Sequence, residues 1–428
     1  MRLQRQCNST CQQLLPSITQ ALMSTGSAPL FATTRRSILL LSFATFASMM
    51  AQRICDAMLP ELSRVFAVDL ARAAEVVWVF AVVYGLAQLI YGPLGDCLGK
   101  FRVVTFATLA CSVGSLTAVF ATSLEWLVLA RVLTALGAAA IIPLSLAWIG
   151  DAVAPEQVQE TLARVGLGTT LGVGAGQLLG GLLTDWLGWR WVFGFMTLLF
   201  SLVGLQLYTH GRRLRSGALS PPSAQRPEQM AFGAQALRII TGSWSRTVLL
   251  VAFIEGAAGF GVLAMWASHL HRALGLSLTS AGAIVALYGL GGMLYMAVAR
   301  PLIRRFGERG LAPLGVLMLA FSALLVAYSP YWQPTVAASF LGGFGFFMFH
   351  NTMQANATQM APGARGTAVS LFAAALFMGQ SIGALLAAHL IDRVGSAAVI
   401  AMGGGVVMLL GFFFAWALRK RAQLQDQP

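Results

Sequence analysis

The side chains able to do chemistry here are few, and they stand inside long apolar runs. Glu255 follows Phe253-Ile254 and precedes the small residues Gly256-Ala-Ala-Gly259. About nine residues into its run, it lies roughly 13 Å deep at 1.5 Å per residue. An ionised carboxylate is costly there. A carboxyl able to trade its proton near neutral pH is what proton coupling requires, and a carboxyl held protonated by a facing helix is the structural alternative. Asp56 and Arg131 each fall in the outer third of a run, so they can meet if the two runs pack together. Arg53, three residues from Asp56 on one helical face, competes for the same carboxylate. His350 and Asn351 stand near the end of another run, and Gln177 and Gln380 are isolated amides in two more. These four are candidates for contacting cargo or for bonding between helices. Met265 with His269, and Met293 with Met296, raise a Cu(I) reading, but no dense Met/His cluster is present and Met commonly fills apolar gaps.

The runs that carry these residues define the class of protein. Of 428 residues, 57% are hydrophobic and 10% charged, where a soluble domain carries about a quarter charged. About twelve runs reach the roughly 20 residues that a membrane span needs. They lie near 37–60, 73–95, 103–121, 126–149, 162–185, 190–209, 247–268, 278–299, 311–328, 335–355, 367–390 and 396–418. The polar stretch 211–246 separates two sets of six. The expected organisation is a disordered cytoplasmic tail over 1–36, bundles over 37–210 and 247–418, a cytoplasmic linker over 211–246 and a tail over 419–428. The first 36 residues have no apolar core of signal-peptide length, and Met23 offers a later start.

The net charge of +13 does not point to nucleic acid, because the bases sit in short clusters between apolar runs. With both termini cytoplasmic, 21 of the 28 Lys and Arg fall on the cytoplasmic side. The five cysteines have neither metal-ligand spacing nor a disulfide framework. No phosphate loop, HExxH or GxSxG is present, so neither ATP drive nor an enzyme is expected, and no cofactor is implied. An internal repeat links the halves: GPLGDCLGKFR (92–102) and RPLIRRFGERG (300–310) lie 208 residues apart and share Pro-Leu and a later glycine.

With these motifs in hand, the chain resembles the major facilitator superfamily from about Ser37 to Ala417. Gly92-Pro-Leu-Gly-Asp96-Cys-Leu-Gly99-Lys100 is similar to that family's loop signature G-x-L-x-D-R-x-G-R/K, with Cys97 in place of the base. Leu127 to Gly137, around Arg131, is similar to the arginine motif of proton-linked members. Gly172-Val-Gly-Ala-Gly176-Gln177-Leu-Leu-Gly180-Gly181 is similar to the antiporter motif, with Gln177 in place of proline. Asp56-Ala-Met-Leu-Pro60 and Gly188-Trp-Arg-Trp-Val-Phe193 resemble the twelve-helix drug:proton antiporter branch.

The resemblance implies an all-α integral membrane protein of twelve transmembrane helices in two pseudo-symmetric six-helix bundles. It implies a conformational latch at Gly92, Asp96, Gly99 and Lys100, with Asp96 tying helices 2 and 11, and a helix-packing motif at Gly172, Gly176, Gly180 and Gly181. The expected activity is alternating-access export of a small, fairly apolar organic compound in exchange for protons. Glu255, Asp56 and Arg131 would couple the proton, and Gln177, His350, Asn351 and Gln380 would line the cavity. The scarcity of bases within the spans favours neutral or cationic cargo. A proton symporter or facilitator is the alternative, followed by a metal transporter and a membrane sensor that does not transport. The expected setting is a monomer in the bacterial inner membrane, with the small molecule, protons and lipid as partners.

Overall fold

Lipid offers no hydrogen-bond partner to a peptide group, so a spanning segment must satisfy its backbone internally. The computed structural model describes residues 34–153, 155–216 and 232–425, and these are helical almost throughout, with no strand among them. Residues 1–33 of the expected tail and 217–231 of the expected linker lie outside the described residues.

Six long helices form the first bundle: α1 (Thr34–Val65), α2 (Leu70–Leu98), α3 (Lys100–Val119), α4 (Leu124–Ala152), α5 (Pro155–Leu187) and α6 (Trp189–Ser216). Six more form the second: α7 (Ser243–Leu274), α8 (278–306), α9 (308–328), α10 (Trp332–Gln359), α11 (Arg365–Val394) and α12 (Ser396–Gln425). Among the described residues, nine helical stretches are long and apolar enough to cross a bilayer. One of them, Leu278–Tyr328, is α8 and α9 together, because the chain turns at Gly307 alone (φ 62°, ψ 173°). That left-handed conformation suits glycine, so the expected loop 300–310 shrinks to a single hinge residue. α5 and α10 have spanning length at 33 and 28 residues, but more Gly, Thr, Gln and Asn than the others.

Sequence chemistry sets several helix starts. Ser123 accepts from the Trp126 amide at 3.2 Å, Ser277 from Ser280 at 3.1 Å and Asp69 from Arg72 at 2.6 Å. Each satisfies one of the amides that a helix N-terminus leaves open. Part of the linker is ordered as well: a short helix, Phe232–Thr241, rests Ile239 on Ala368 and Leu371 of α11, and Gln235 accepts from Thr367 at 2.8 Å.

Small residues bring the backbones together. On α5, Gly172, Gly176 and Gly180 recur every four residues and face the carbonyls of Phe46, Met50 and Ile54 on α1. Gly174 and Gly181 face α8 instead, where Gly282 and Gly289 return the contact. The bundles therefore meet along α5–α8, from Asp185, which accepts from the Thr279 amide at 2.7 Å, to Thr170, whose hydroxyl reaches the Met296 sulfur at 3.7 Å. They also meet along α2–α11, where the Tyr84 and Phe377 rings lie 4.6 Å apart and Ser381 donates to the Trp78 carbonyl at 2.8 Å.

A Cβ on Gly176 would stand 2.8 Å from the Met50 carbonyl oxygen and 3.0 Å from the Arg53 Cβ, whereas one on Gly405 meets nothing within 4 Å. Gly176→Ala is therefore expected to destabilise the purified protein by about 1–3 kcal/mol. Gly405→Ala should be neutral, or stabilising by up to about 1 kcal/mol. Thermal unfolding in detergent checks the pair, and equal midpoints would refute the close-contact account.

Candidate functional site

Regular helix is interrupted on α1 and on α7 near the centre of the molecule, and Arg53, Asp56 and Glu255 stand beside those interruptions, whereas buried Arg131 sits within the regular winding of α4. α1 loses its regular winding at Ile54 and Cys55, makes a single 3-10 turn over Asp56–Met58, and resumes as helix at Leu59. α7 is α-helical up to Glu255 and then widens into a π-helical turn over Gly256–Gly261. Such turns recur at functional positions. Here the widening is possible because Gly256 and Gly261 lie directly against the α11 backbone, and Gly379 and Gly383 of α11 lie against α7.

On the first-bundle side, Arg53 and Asp56 are both fully buried and pair at 3.4 Å. Gln177 donates to the same Asp56 oxygen at 2.8 Å. The Arg53 guanidinium then crosses to the second bundle, donating to the Phe260 carbonyl at 3.2 Å and lying 4.3 Å above the Phe260 ring. One residue earlier, Gln52 donates to Gln380 across the same divide at 3.4 Å. In the second bundle, fully buried Glu255 meets His350 Nδ1 at 3.2 Å. His350 stacks on Phe346 at 5.5 Å between centroids and is flanked by Phe347 and Phe372. Tyr288, also buried, packs its ring between Phe346 and Trp266 and is within electrostatic reach of both Arg53 and Glu255.

Several polar atoms in this cluster have no hydrogen-bond partner among the described residues. They are Arg53 Nε and Nη2, Asp56 Oδ1, Gln177 Oε1, Glu255 Oε2, the Tyr288 hydroxyl and Gln380 Nε2. A buried polar atom left unpaired costs about 1–3 kcal/mol, so folds rarely collect several in one place. The arrangement gathers uncommitted donors and acceptors from both bundles in one place, beside the Phe260, Phe346 and Tyr288 rings.

Of the two bases that could pair with Asp56, Arg53 does and Arg131 does not. Its Nε donates to the Val76 carbonyl at 3.1 Å, its Nη1 to the Ala51 carbonyl at 2.8 Å, and its guanidinium lies 4.0 Å over Phe80. Arg53, nearer in sequence and on the same helix, holds the carboxylate, while Arg131 ties α4 to α1 and α2. Asn351 follows His350 around the α10 helix, about 100° away, and makes no side-chain bond with the cluster among the described residues. At the opposite end of α2, Lys100 pairs with Asp96 at 3.8 Å and also contacts Asp151 of α4. Gly99 takes the left-handed turn there (φ 91°), and Gly92 faces open space. His269 has both ring nitrogens engaged, by Ser396 at 2.7 Å and the Val326 carbonyl at 3.1 Å. No group of three metal-ligating His, Cys, Asp or Glu occurs among the described residues.

Sequence reasoning placed Glu255, Asp56, Gln177, His350 and Gln380 as separate candidates, and the structure gathers them into one neighbourhood. It missed Tyr288, Phe260 and Phe346, which are ordinary residues of apolar runs, and it gave Arg53 only as a competitor for the Asp56 carboxylate. The buried charge of Arg53 was the one available signal.

Two six-helix bundles that close on a buried polar cluster define a polytopic membrane protein with its site at the bundle interface. The chain belongs to the Major Facilitator Superfamily, whose profile matches residues 41–266 and 248–428. It is 32% identical over 186 residues to a lincomycin resistance protein of Streptomyces lincolnensis, covering 43% of this chain and 38% of that one. It is 30% identical over 258 residues to the mouse solute carrier family 2 facilitated glucose transporter member 10, covering 55% and 47%. Each match thus spans less than half of the relative's own length. The crystal structure of the nucleoside transporter NupG superposes with a TM-score of 0.73 at 14% identity, covering 88% of this chain and 98% of that one.

If Glu255 and His350 act as a pair, their substitutions are not additive. A cycle of Glu255→Gln, His350→Gln and the double variant is expected to give a coupling of about 0.5–3 kcal/mol in thermal unfolding. Additive losses would mean that the two side chains do not support each other.

Proposed function

We propose that the protein is a secondary transporter that exports a small, fairly apolar organic compound in exchange for protons. The observation that carries this reading is the buried Glu255–His350 pair, which leaves one carboxylate oxygen unpaired beside the bundle interface. A proton arriving at Glu255 or His350 changes the net charge of a site that lipid and protein can barely screen. That change alters the relative stability of states in which the interface is closed or open, which is what coupling requires. The cargo enters among the Phe260, Phe346 and Tyr288 rings and competes for the unpaired atoms of Asp56, Gln177 and Gln380. The few charges present favour neutral or cationic compounds.

In this reading the two bundles, 37–210 and 247–418, rock about the site. Opening the end that carries Asp185 breaks its bond to Thr279 and the Ser381–Trp78 bond, and separates Arg53 from Phe260. At the other end, Asp96, Lys100 and Gly99 form the latch, with Lys100 binding both Asp96 and Asp151. Arg131 acts by holding α1, α2 and α4 in register around the site. The excess of bases on one face supports cytoplasmic termini, and the proposed setting is a monomer in a bacterial inner membrane.

The likeness to a lincomycin resistance protein supports export. The likeness to a facilitated glucose transporter supports the second reading, a facilitator with no proton step. Liposomes loaded with a pH-sensitive dye and carrying a proton gradient separate the two. Substrate-triggered proton movement is expected for the wild type, reduced at least tenfold in Glu255→Gln and weakened in Asp56→Asn. Substrate counterflow without proton movement would overturn antiport and leave the facilitator. Proton movement that Glu255→Gln leaves intact would remove Glu255 from the coupling path.

A further inference from the structure

The repeat that relates the bundles is inverted in charge at one turn, and a cavity stands beside the inverted copy. At the 208-residue offset, Lys100 corresponds to Glu308, Asp96 to Arg304 and Asp151 to Gln359. In the first bundle the base is neutralised within the protein, since Lys100 pairs with both Asp96 and Asp151. In the second bundle the carboxylate of Glu308 instead accepts from the Asn356 amide at 3.1 Å. The neighbouring guanidiniums of Arg309 and Arg421 have no carboxylate partner among the described residues.

These two arginines, with Glu308, Asn356 and Gln359, line a cavity of about 460 Å³ between the Gly307 turn, the end of α10 and the end of α12. That is the volume of roughly fifteen waters at 30 Å³ each, more than a bare ion fills. Arg421 is already positioned, its guanidinium lying 4.5 Å over the Trp244 ring, so little side-chain freedom is lost when it binds. Phe306 and Leu418 complete the wall, and Phe306 is substantially exposed. More bases lie near in sequence: Arg300, Arg304 and Arg305 precede the turn, and Arg419 and Lys420 precede Arg421. Two guanidiniums against one carboxylate leave the lining net positive, at a place where the spanning helices end.

We propose that this cavity binds the phosphate of an anionic phospholipid head group. Arg309 and Arg421 grip the phosphate oxygens, each through paired N–H donors. Asn356 holds Glu308 aside, and Phe306 receives the first carbons of the acyl chains. Basic cavities between spanning helices recognise such head groups by this combination of charge and fork geometry. The lipid bridges the α8–α9 turn to α10 and α12 and so fastens one end of the second bundle.

Native mass spectrometry on the purified full-length chain tests this. Phosphatidylglycerol and phosphatidylcholine of equal chain length are added separately to the wild type, to Arg309→Gln/Arg421→Gln, and to Arg102→Gln, a base outside the cavity. Wild type and Arg102→Gln are expected to retain one phosphatidylglycerol at least tenfold more firmly than phosphatidylcholine, and the double variant to lose that preference. Arg421→Lys keeps the charge without the fork and should lose part of it, which guards against a double variant that folds poorly. Equal retention of the two lipids by the wild type would overturn the proposal, as would an unchanged preference in a folded double variant. If inorganic phosphate displaces the lipid and raises the unfolding midpoint as much as the lipid does, the site is one for free phosphate and the lipid assignment fails.

Discussion

Charge buried among membrane-spanning helices persists only where neighbouring groups compensate it, and the centre of this protein is organised around that constraint. Arg53 and Asp56 neutralise each other on α1, Gln177 adds a donor from α5, and the excess donors of Arg53 reach the Phe260 carbonyl and ring on α7. The pairing is incomplete, since Arg53 Nε and Nη2 and Asp56 Oδ1 have no partner among the described residues. A fully satisfied pair would be a structural weld between the bundles. An incompletely satisfied one holds the interface less firmly, by about 1–3 kcal/mol for each buried atom left unpaired.

The irregular backbone follows from the same constraint. Asp56 opens a 3-10 turn and Glu255 immediately precedes a π-helical turn, so both carboxylates stand where the regular hydrogen-bond ladder is broken. Non-helical backbone at membrane depth is tolerated only where protein or a polar cavity surrounds it. Glycine makes that enclosure possible here, because Gly256 and Gly261 of α7 and Gly379 and Gly383 of α11 allow main chains to touch. The alternation of glycine faces on α5 has a parallel effect: Gly172, Gly176 and Gly180 fasten α1, while Gly174 and Gly181 face α8 in the other bundle. One helix thereby belongs to a bundle and to the interface between bundles.

The two halves descend from one pattern yet are used differently. The turn at Gly99 is secured by ion pairs made within the protein, and the turn at Gly307 presents its bases to a cavity. Glycine stands at both turns, Gly99 and Gly307, because its left-handed backbone is needed to reverse the chain in so few residues. The charges around it were free to change sign, since at the membrane surface water and lipid head groups can replace a protein partner.

The sequence by itself determined the solvent, the number of helices and their grouping. Those properties depend on the length and composition of apolar runs, which are local, and on the loss of hydrogen-bonding water in lipid, which leaves helix as the answer. It also put Gly172, Gly176 and Gly180 on one helical face, because they are spaced by four, but not the second face that Gly174 and Gly181 present to α8. Tertiary structure alone decided the partners of the charges. His350 lies 95 residues from Glu255 and Phe260 lies 207 from Arg53, and nothing local records such distances. Of the two partners open to Asp56, Arg53 prevailed because a side chain three residues off on the same helix is already in reach, whereas Arg131 bonds to the Val76 and Ala51 carbonyls of α2 and α1. Apolar periodicity says that a helix is buried. Only the packing angle and the small residues at the crossing decide which polar atoms face each other.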